Sequence, residues 1–166
     1  PPLPLITSSL QQAAASKLGF SASKTMRLAQ QLYEQGFITY MRTDNTLLSN
    51  SATQSALDTI HHSHPLSVQF IQSKDTAGRK KRSRPVNAQE AHEPIRPTIQ
   101  TGTNTFLHPS SGTIASGDEK KLYTLIYHRT LQSLLAPSFS YSITFNAHMN
   151  VDNDCIAFKS SQPLSV

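Results

Sequence analysis

Residues 21–36 specify a helix at both ends and along one side, and this constrains the chain more than any other stretch. Ser21 or Ser23 offers an N-cap oxygen. Met26, Ala29, Leu32 and Tyr33 fall on one helical stripe, and Gly36 supplies the stop. The helix therefore delivers the chain, at a fixed point, into Phe37-Ile38-Thr39-Tyr40-Met41-Arg42-Thr43-Asp44-Asn45. If residues 38–42 are extended, side chains two apart share a face, so Tyr40 and Arg42 point the same way. A free tyrosine titrates at about 10 and is a weak nucleophile at neutral pH. A fixed cation beside it favours the phenolate and also holds a phosphodiester oxygen in place for attack. Asp44 adds a carboxylate to the pair. The same spacing also suits a half-buried tyrosine packed under a helix end, with Arg42 solvated beside it.

Three further helices are expected. Residues 9–18 carry a Ser cap, an Ala-rich middle and a terminal Gly19. Ser49 or Ser51 caps a third helix with Ala52, Ala56, Leu57 and Ile60 on one side. Asp118 and Glu119 open a fourth, where acid in the first turn complements the helix dipole. Its stripe is Leu122, Leu125, Ile126, Leu131, Leu134 and Leu135, ending at Pro137. Tyr141, Ile143, Phe145 and Ala147 alternate as a strand, which a turn at Asp152-Asn153 returns into residues 155–158. Val68-Gln69-Phe70-Ile71 reads as a short strand inside an aperiodic, Ser- and Pro-rich stretch. The whole is a mainly helical α+β fold.

Basic residues outnumber acidic ones by fifteen to ten, and five of the fifteen are Arg79, Lys80, Lys81, Arg82 and Arg84. The positive charge is thus one local feature, expected on a loop over about residues 63–87, rather than a cationic coat. Phosphate contact, a nuclear-localisation address and a merely solvated loop all fit such a run. The lone Cys155 permits neither an internal disulfide nor a Cys-based zinc cluster, which suits a reducing compartment. Asp152-Asn153-Asp154 is read as turn chemistry rather than a metal site. No apolar run approaches the ~20 residues of a membrane helix, so no membrane partner is expected. The opening Pro1-Pro2-Leu3-Pro4, without Met or a signal segment, reads as an entry linker over residues 1–6 of a piece cut from a longer protein.

Ile38-Thr39-Tyr40-Met41-Arg42-Thr43-Asp44 closely resembles the active-site tyrosine segment of the type IA DNA topoisomerases, the bacterial-type topoisomerase I family. The family pattern has Ser at Asn45. Thr7-Ser8-Ser9-Leu10-Gln11-Gln12-Ala13 resembles the segment that opens the family's tyrosine domain. Asn87-Ala88-Gln89-Glu90-Ala91-His92-Glu93-Pro94-Ile95-Arg96-Pro97-Thr98 resembles its second signature, in which a histidine sits close to the scissile phosphate. Spacing alone does not single out His92. The common pattern has Ala at Pro94, and proline cannot continue a helix interior, so either a very short helix ends here or Pro94 begins a new turn.

The resemblance implies a helix-turn-helix, CAP-like tyrosine domain over residues 7–113 and, over 114–166, part of the β arch that carries it. It implies Tyr40 as nucleophile, Arg42 and His92 on the phosphate, and Asp44 orienting one of them. Arg79, Lys80, Lys81, Arg82 and Arg84 would bind DNA phosphates. Single-stranded DNA and the remaining domains of the same polypeptide are the implied partners. Mg²⁺ would be held by a domain outside this chain, and none is expected here. The implied location is intracellular, in cytoplasm, nucleoid or organelle. Two other classes fit parts of the sequence: a non-catalytic helix-turn-helix module that binds nucleic acid, and a helical protein-interaction domain.

Overall fold

The protein is described by a computed structural model covering residues 1–71, 93–114, 117–137, 142–151 and 154–163. Four α-helices, α1 (Thr7–Leu18), α2 (Ala22–Glu34), α3 (Asn50–Ser63) and α4 (Asp118–Gln132), precede two strands, β1 (Ser142–Val151) and β2 (Asp154–Pro163). The mainly helical α+β expectation holds. The chain divides into two compact units, Pro1–Ala136 and Pro137–Val166. The expected division at 113 and 114 groups α4 with the strands, whereas α4 packs on α1, α2 and α3 inside the first unit.

Local chemistry sets the helix ends. At α1, Gly19 takes a left-handed φ of 67°, and the N–H groups of Gly19 and Phe20 reach back to Ala15 and Ala14. The helix begins two residues before the expected Ser9. The Ser9 hydroxyl instead accepts from the Ile6 N–H at 2.9 Å, tightening the turn in front of it. Ser21 caps α2 by accepting from Lys24 N–H at 3.2 Å, and Ser49 caps α3 by accepting from Ala52 N–H at 3.2 Å. Gly36, at φ 76°, turns the chain out of α2 and lets Phe37 N–H bond Leu32 O at 2.8 Å.

The core is one cluster in which Leu10, Ala14, Leu28, Ala29, Leu32, Ile38, Ile60, Ile95, Leu122 and Ile126 are buried. Two expected faces are rotated. On α2 the buried side is Thr25, Leu28, Ala29 and Leu32, and Tyr33 is exposed. On α4, Tyr123 and Tyr127 are fully buried, and Leu125 is only partly so. Their hydroxyls make this possible, Tyr123 donating to Leu107 O at 2.7 Å and Tyr127 meeting His64 Nε2 at 3.3 Å. The helix stops at Gln132, short of the expected Leu135, because Leu134 and Leu135 N–H bond three residues back in a tighter turn.

The expected strand over residues 68–71 is a correction: Pro65–Phe70 is a 3-10 helix. Pro65 presets φ for a tight turn, closed by Ser67 N–H on His64 O at 2.8 Å. Only Ile71 is extended, bridging Leu135. The stretch read as an entry linker is also structural, since Leu5 is buried and bridges Ile95.

In the second unit β1 and β2 form an antiparallel hairpin, from Ser142 opposite Pro163 to Val151 opposite Asp154. That register leaves the connection to residues 152–153, which lie outside the described residues.

His64, at the end of α3, His108 and the α4 residue His128 gather around Tyr127. His128 is held below the usual imidazole range, first by lost hydration and then by the charges of His64, His108 and Lys17. A depressed histidine favours the neutral fold, so the unfolded chain takes up its proton first as pH falls through about 6.5. The first unit should therefore melt a few degrees lower at pH 5.5 than at pH 7.5, and His128→Gln should shrink that difference. A melting series at the two pH values checks this, and equal pH sensitivity in the variant contradicts it.

Candidate active site

The tyrosine segment is clamped from both sides by backbone. The entry to α1 lies on one side: the Thr7 hydroxyl donates to Met41 O at 2.8 Å and accepts from Thr43 N–H at 3.0 Å, and Thr7 N–H bonds Thr43 O at 3.0 Å. Residues 93–98 lie on the other, running antiparallel to residues 36–39. Thr39 N–H bonds Arg96 O at 2.9 Å, and Thr98 N–H bonds Phe37 O at 3.0 Å. The Thr39 hydroxyl donates to Pro94 O at 2.7 Å and accepts from Arg96 N–H at 3.0 Å. Residues on both sides of Tyr40 are thus fixed to chain distant in sequence.

Between these clamps the side chains sort by parity. Met41 and Thr43 are buried, while Tyr40, Arg42 and Asp44 are exposed. Bends at Thr39 and Met41 flank Tyr40, so the alternation is one of burial along the segment and not of a regular strand. The period breaks at Thr39, where a bend lets buried Ile38 and exposed Tyr40 sit two apart on opposite sides. Tyr40 is 38% exposed. Tyr33, from the last turn of α2, meets it edge-on, with ring centroids 5.2 Å apart at 64°. Among the described residues neither Arg42 nor Asp44 forms an ion pair. Asn45 accepts from Leu47 N–H at 3.0 Å, a side-chain turn that carries the chain towards α3.

Pro94 is resolved by the same geometry: it opens an extended stretch, not a helix, and Ile95, Pro97 and Ile99 each form a bridge. Arg96 is buried. Its Nε donates to the Glu93 carboxylate at 2.8 Å, one terminal nitrogen joins the same carboxylate, and the other donates to Pro97 O at 2.9 Å. It is a fastener of this strand. His92 and the basic run Arg79, Lys80, Lys81, Arg82 and Arg84 lie outside the described residues. Thr7 and Thr39 were not singled out from sequence, because their partners are too far along the chain for spacing to show, and Tyr33 was read only as part of the apolar stripe of α2. Among the described residues no group of three or more His, Cys, Asp or Glu side chains could hold a metal ion.

Removing the Thr39 hydroxyl would leave Arg96 N–H and Pro94 O without their partner, and buried polar groups left so cost about 1–3 kcal/mol. Thr39→Val should destabilise the first unit by that amount in a denaturant titration, whereas Thr39→Ser should recover most of it. A Thr39→Val protein as stable as the parent would mean that the clamp is idle.

A two-sided clamp thus holds the segment that carries the exposed residues Tyr40 and Arg42. The family model described as DNA topoisomerase matches residues 1–162, and the chain belongs to that family. It is 45% identical over 147 residues to DNA topoisomerase 1 of Thermotoga maritima, covering 83% of this chain and 22% of that protein. With DNA topoisomerase 1 of Streptomyces coelicolor it shares 42% over 144 residues, 87% of this chain and 14% of that one. The crystal structure of full-length topoisomerase I from Thermotoga maritima superposes over the whole chain with a TM-score of 0.69 at 36% identity. That overlap takes in 26% of the solved chain, so the present chain spans about a quarter or less of these relatives.

Proposed function

We propose that this chain is the strand-cleaving part of a type IA DNA topoisomerase, acting on single-stranded DNA through a 5′-phosphotyrosine intermediate. The carrying observation is that Tyr40 and Arg42 are exposed on a backbone held from both sides. The Tyr40 oxygen attacks a backbone phosphorus, the bond from phosphorus to the 3′ oxygen breaks, and the phenolic proton is given up as the leaving oxygen gains one. A free 3′-hydroxyl results. Resealing is the reverse transfer, and because the tyrosyl ester conserves the phosphodiester energy it needs no nucleotide. Strand passage through the open break changes the linking number.

Arg42 is assigned to the phosphate oxygens on which charge develops. Asp44, next but one along the same exposed edge, is assigned to orienting Arg42 or His92. His92 is the second assigned phosphate donor. Its place in the sequence supports this: it comes two residues before Pro94, whose carbonyl accepts from the Thr39 hydroxyl beside Tyr40. The basic run at 79–84 is assigned to sequence-independent phosphate contact. A divalent cation, when held by another part of the parent polypeptide, would supply further charge at the phosphate. The 166-residue chain alone is not expected to relax DNA.

End-labelled single-stranded oligonucleotides test the polarity. After denaturant quenching of the intact protein, a label on the 3′ end should remain with the protein and one on the 5′ end should leave with the free fragment. The reverse pattern overturns the assignment. A non-catalytic nucleic-acid-binding module would retain neither label.

A further inference from the structure

A second basic feature uses different elements. The end of α1 and the length of α4 enclose a cleft of about 260 Å³. Leu18 and Leu125 give it an apolar lining, and Lys17, Lys121, His128 and Arg129 give it a cationic one. Among the described residues that charge is balanced only at Lys121. Asp118, the acid at the start of α4, is shared between Lys24 at 2.6 Å and Lys121 at 3.4 Å. Among the described residues Lys17 and Arg129 take part in no ion pair. Behind the cleft, His64 stands 6.4 Å from His128 between ring centroids, with His108 beyond it at 6.1 Å from His64. Burial first, and then the neighbouring charges of His64, His108 and Lys17, hold the His128 imidazole below its usual range. An unbalanced cationic cleft with an apolar lining suits an anion that also carries an apolar or aromatic part.

The geometry points to a nucleic-acid phosphate-binding site in this cleft, with Lys17 and Arg129 on the backbone of a single strand and His128 adding a donor when protonated. Lys121 and His128 are seven residues apart on α4, about 10 Å along its axis, which favours a run of phosphates over one small ion. A phosphate bound beside His128 favours its protonated form, so binding takes up a proton there and tightens as pH falls. The source of the phosphate rests on the strand-handling function proposed above, but nothing here requires Tyr40 to be the nucleophile.

Anisotropy titrations of the intact protein with labelled oligothymidylate over a salt series read the site directly. Each phosphate contact on a single strand contributes about 0.7 to the slope of log affinity against log salt. The Lys17→Gln/Arg129→Gln protein should bind more weakly and lose about 1.4 from that slope. Tyr40→Phe, which alters no residue of the cleft, should keep the full slope, so loss of the nucleophile and loss of this site are told apart. The His128 imidazole resonances give a second reading in the parent protein. Oligothymidylate should move their titration upward, and inorganic phosphate at the same phosphate concentration should move it far less. An unchanged salt slope in a folded double variant overturns the site. So does an equal response to inorganic phosphate, which would make it a small-anion site only.

Discussion

Tyr40→Phe in the intact protein is expected to abolish the covalent adduct with single-stranded DNA and leave the fold standing. The substitution removes one oxygen and no carbon. The ring keeps its edge contact with Tyr33, and the bonds that hold residues 39, 41 and 43 to Thr7 and to residues 94–96 are made by backbone and threonine groups. Stability should change by no more than about 0.5 kcal/mol, the usual range for an exposed position. Because no ester can form without the hydroxyl, the adduct should fall below detection, and nucleotide-free relaxation with it. Single-stranded DNA binding should persist, since phosphate contacts come from elsewhere. A melting curve, an adduct gel and a binding titration on one preparation separate these outcomes. If the adduct survives, the nucleophile lies elsewhere.

The second large effect is at Arg42. Arg42 is exposed and, among the described residues, makes no ion pair that would fix it to the fold. Arg42→Ala should therefore cost little stability. If the guanidinium meets charge developing on the phosphate oxygens, its loss should slow single-turnover cleavage and resealing by about 10²–10³. Arg42→Lys should recover only part of this, because an ammonium lacks the planar fork that engages two oxygens. Arg96 is the internal control. It is buried on Glu93 and Pro97 O, so Arg96→Ala should lower the melting temperature first and affect the rate only through the displaced strand. A rate loss at Arg42 equal to the loss in DNA affinity would reduce it to a binding residue.

Legibility followed the range of the interactions. The caps at Ser21 and Ser49 and the turns at Gly19 and Gly36 were readable because each is decided within a few residues. Helix phase was less so. Tyr33 reads as stripe by hydrophobicity, yet the partner across α2 is a bent segment that leaves it at the rim beside Tyr40. Tyr123 and Tyr127 read as amphipathic, and only the acceptors supplied by Leu107 O and His64 let them go fully inside. Least legible was the ladder of Leu5 on Ile95 and Ile38 on Pro97. Each pairing joins segments more than fifty residues apart, and nothing local in Leu5 or Pro97 announces it. Family likeness carried what periodicity could not, marking the block around His92 whose following residues brace the tyrosine.

Peptide mapping of the trapped complex goes most directly to the central claim. The intact protein is incubated with a short single-stranded oligonucleotide, quenched in denaturant, digested with nuclease and protease, and read by mass spectrometry. A nucleotide remnant esterified to Tyr40 is the predicted result. A remnant on another residue, Tyr33 included, or adduct-free peptides from protein that has visibly cleaved the strand, would contradict it.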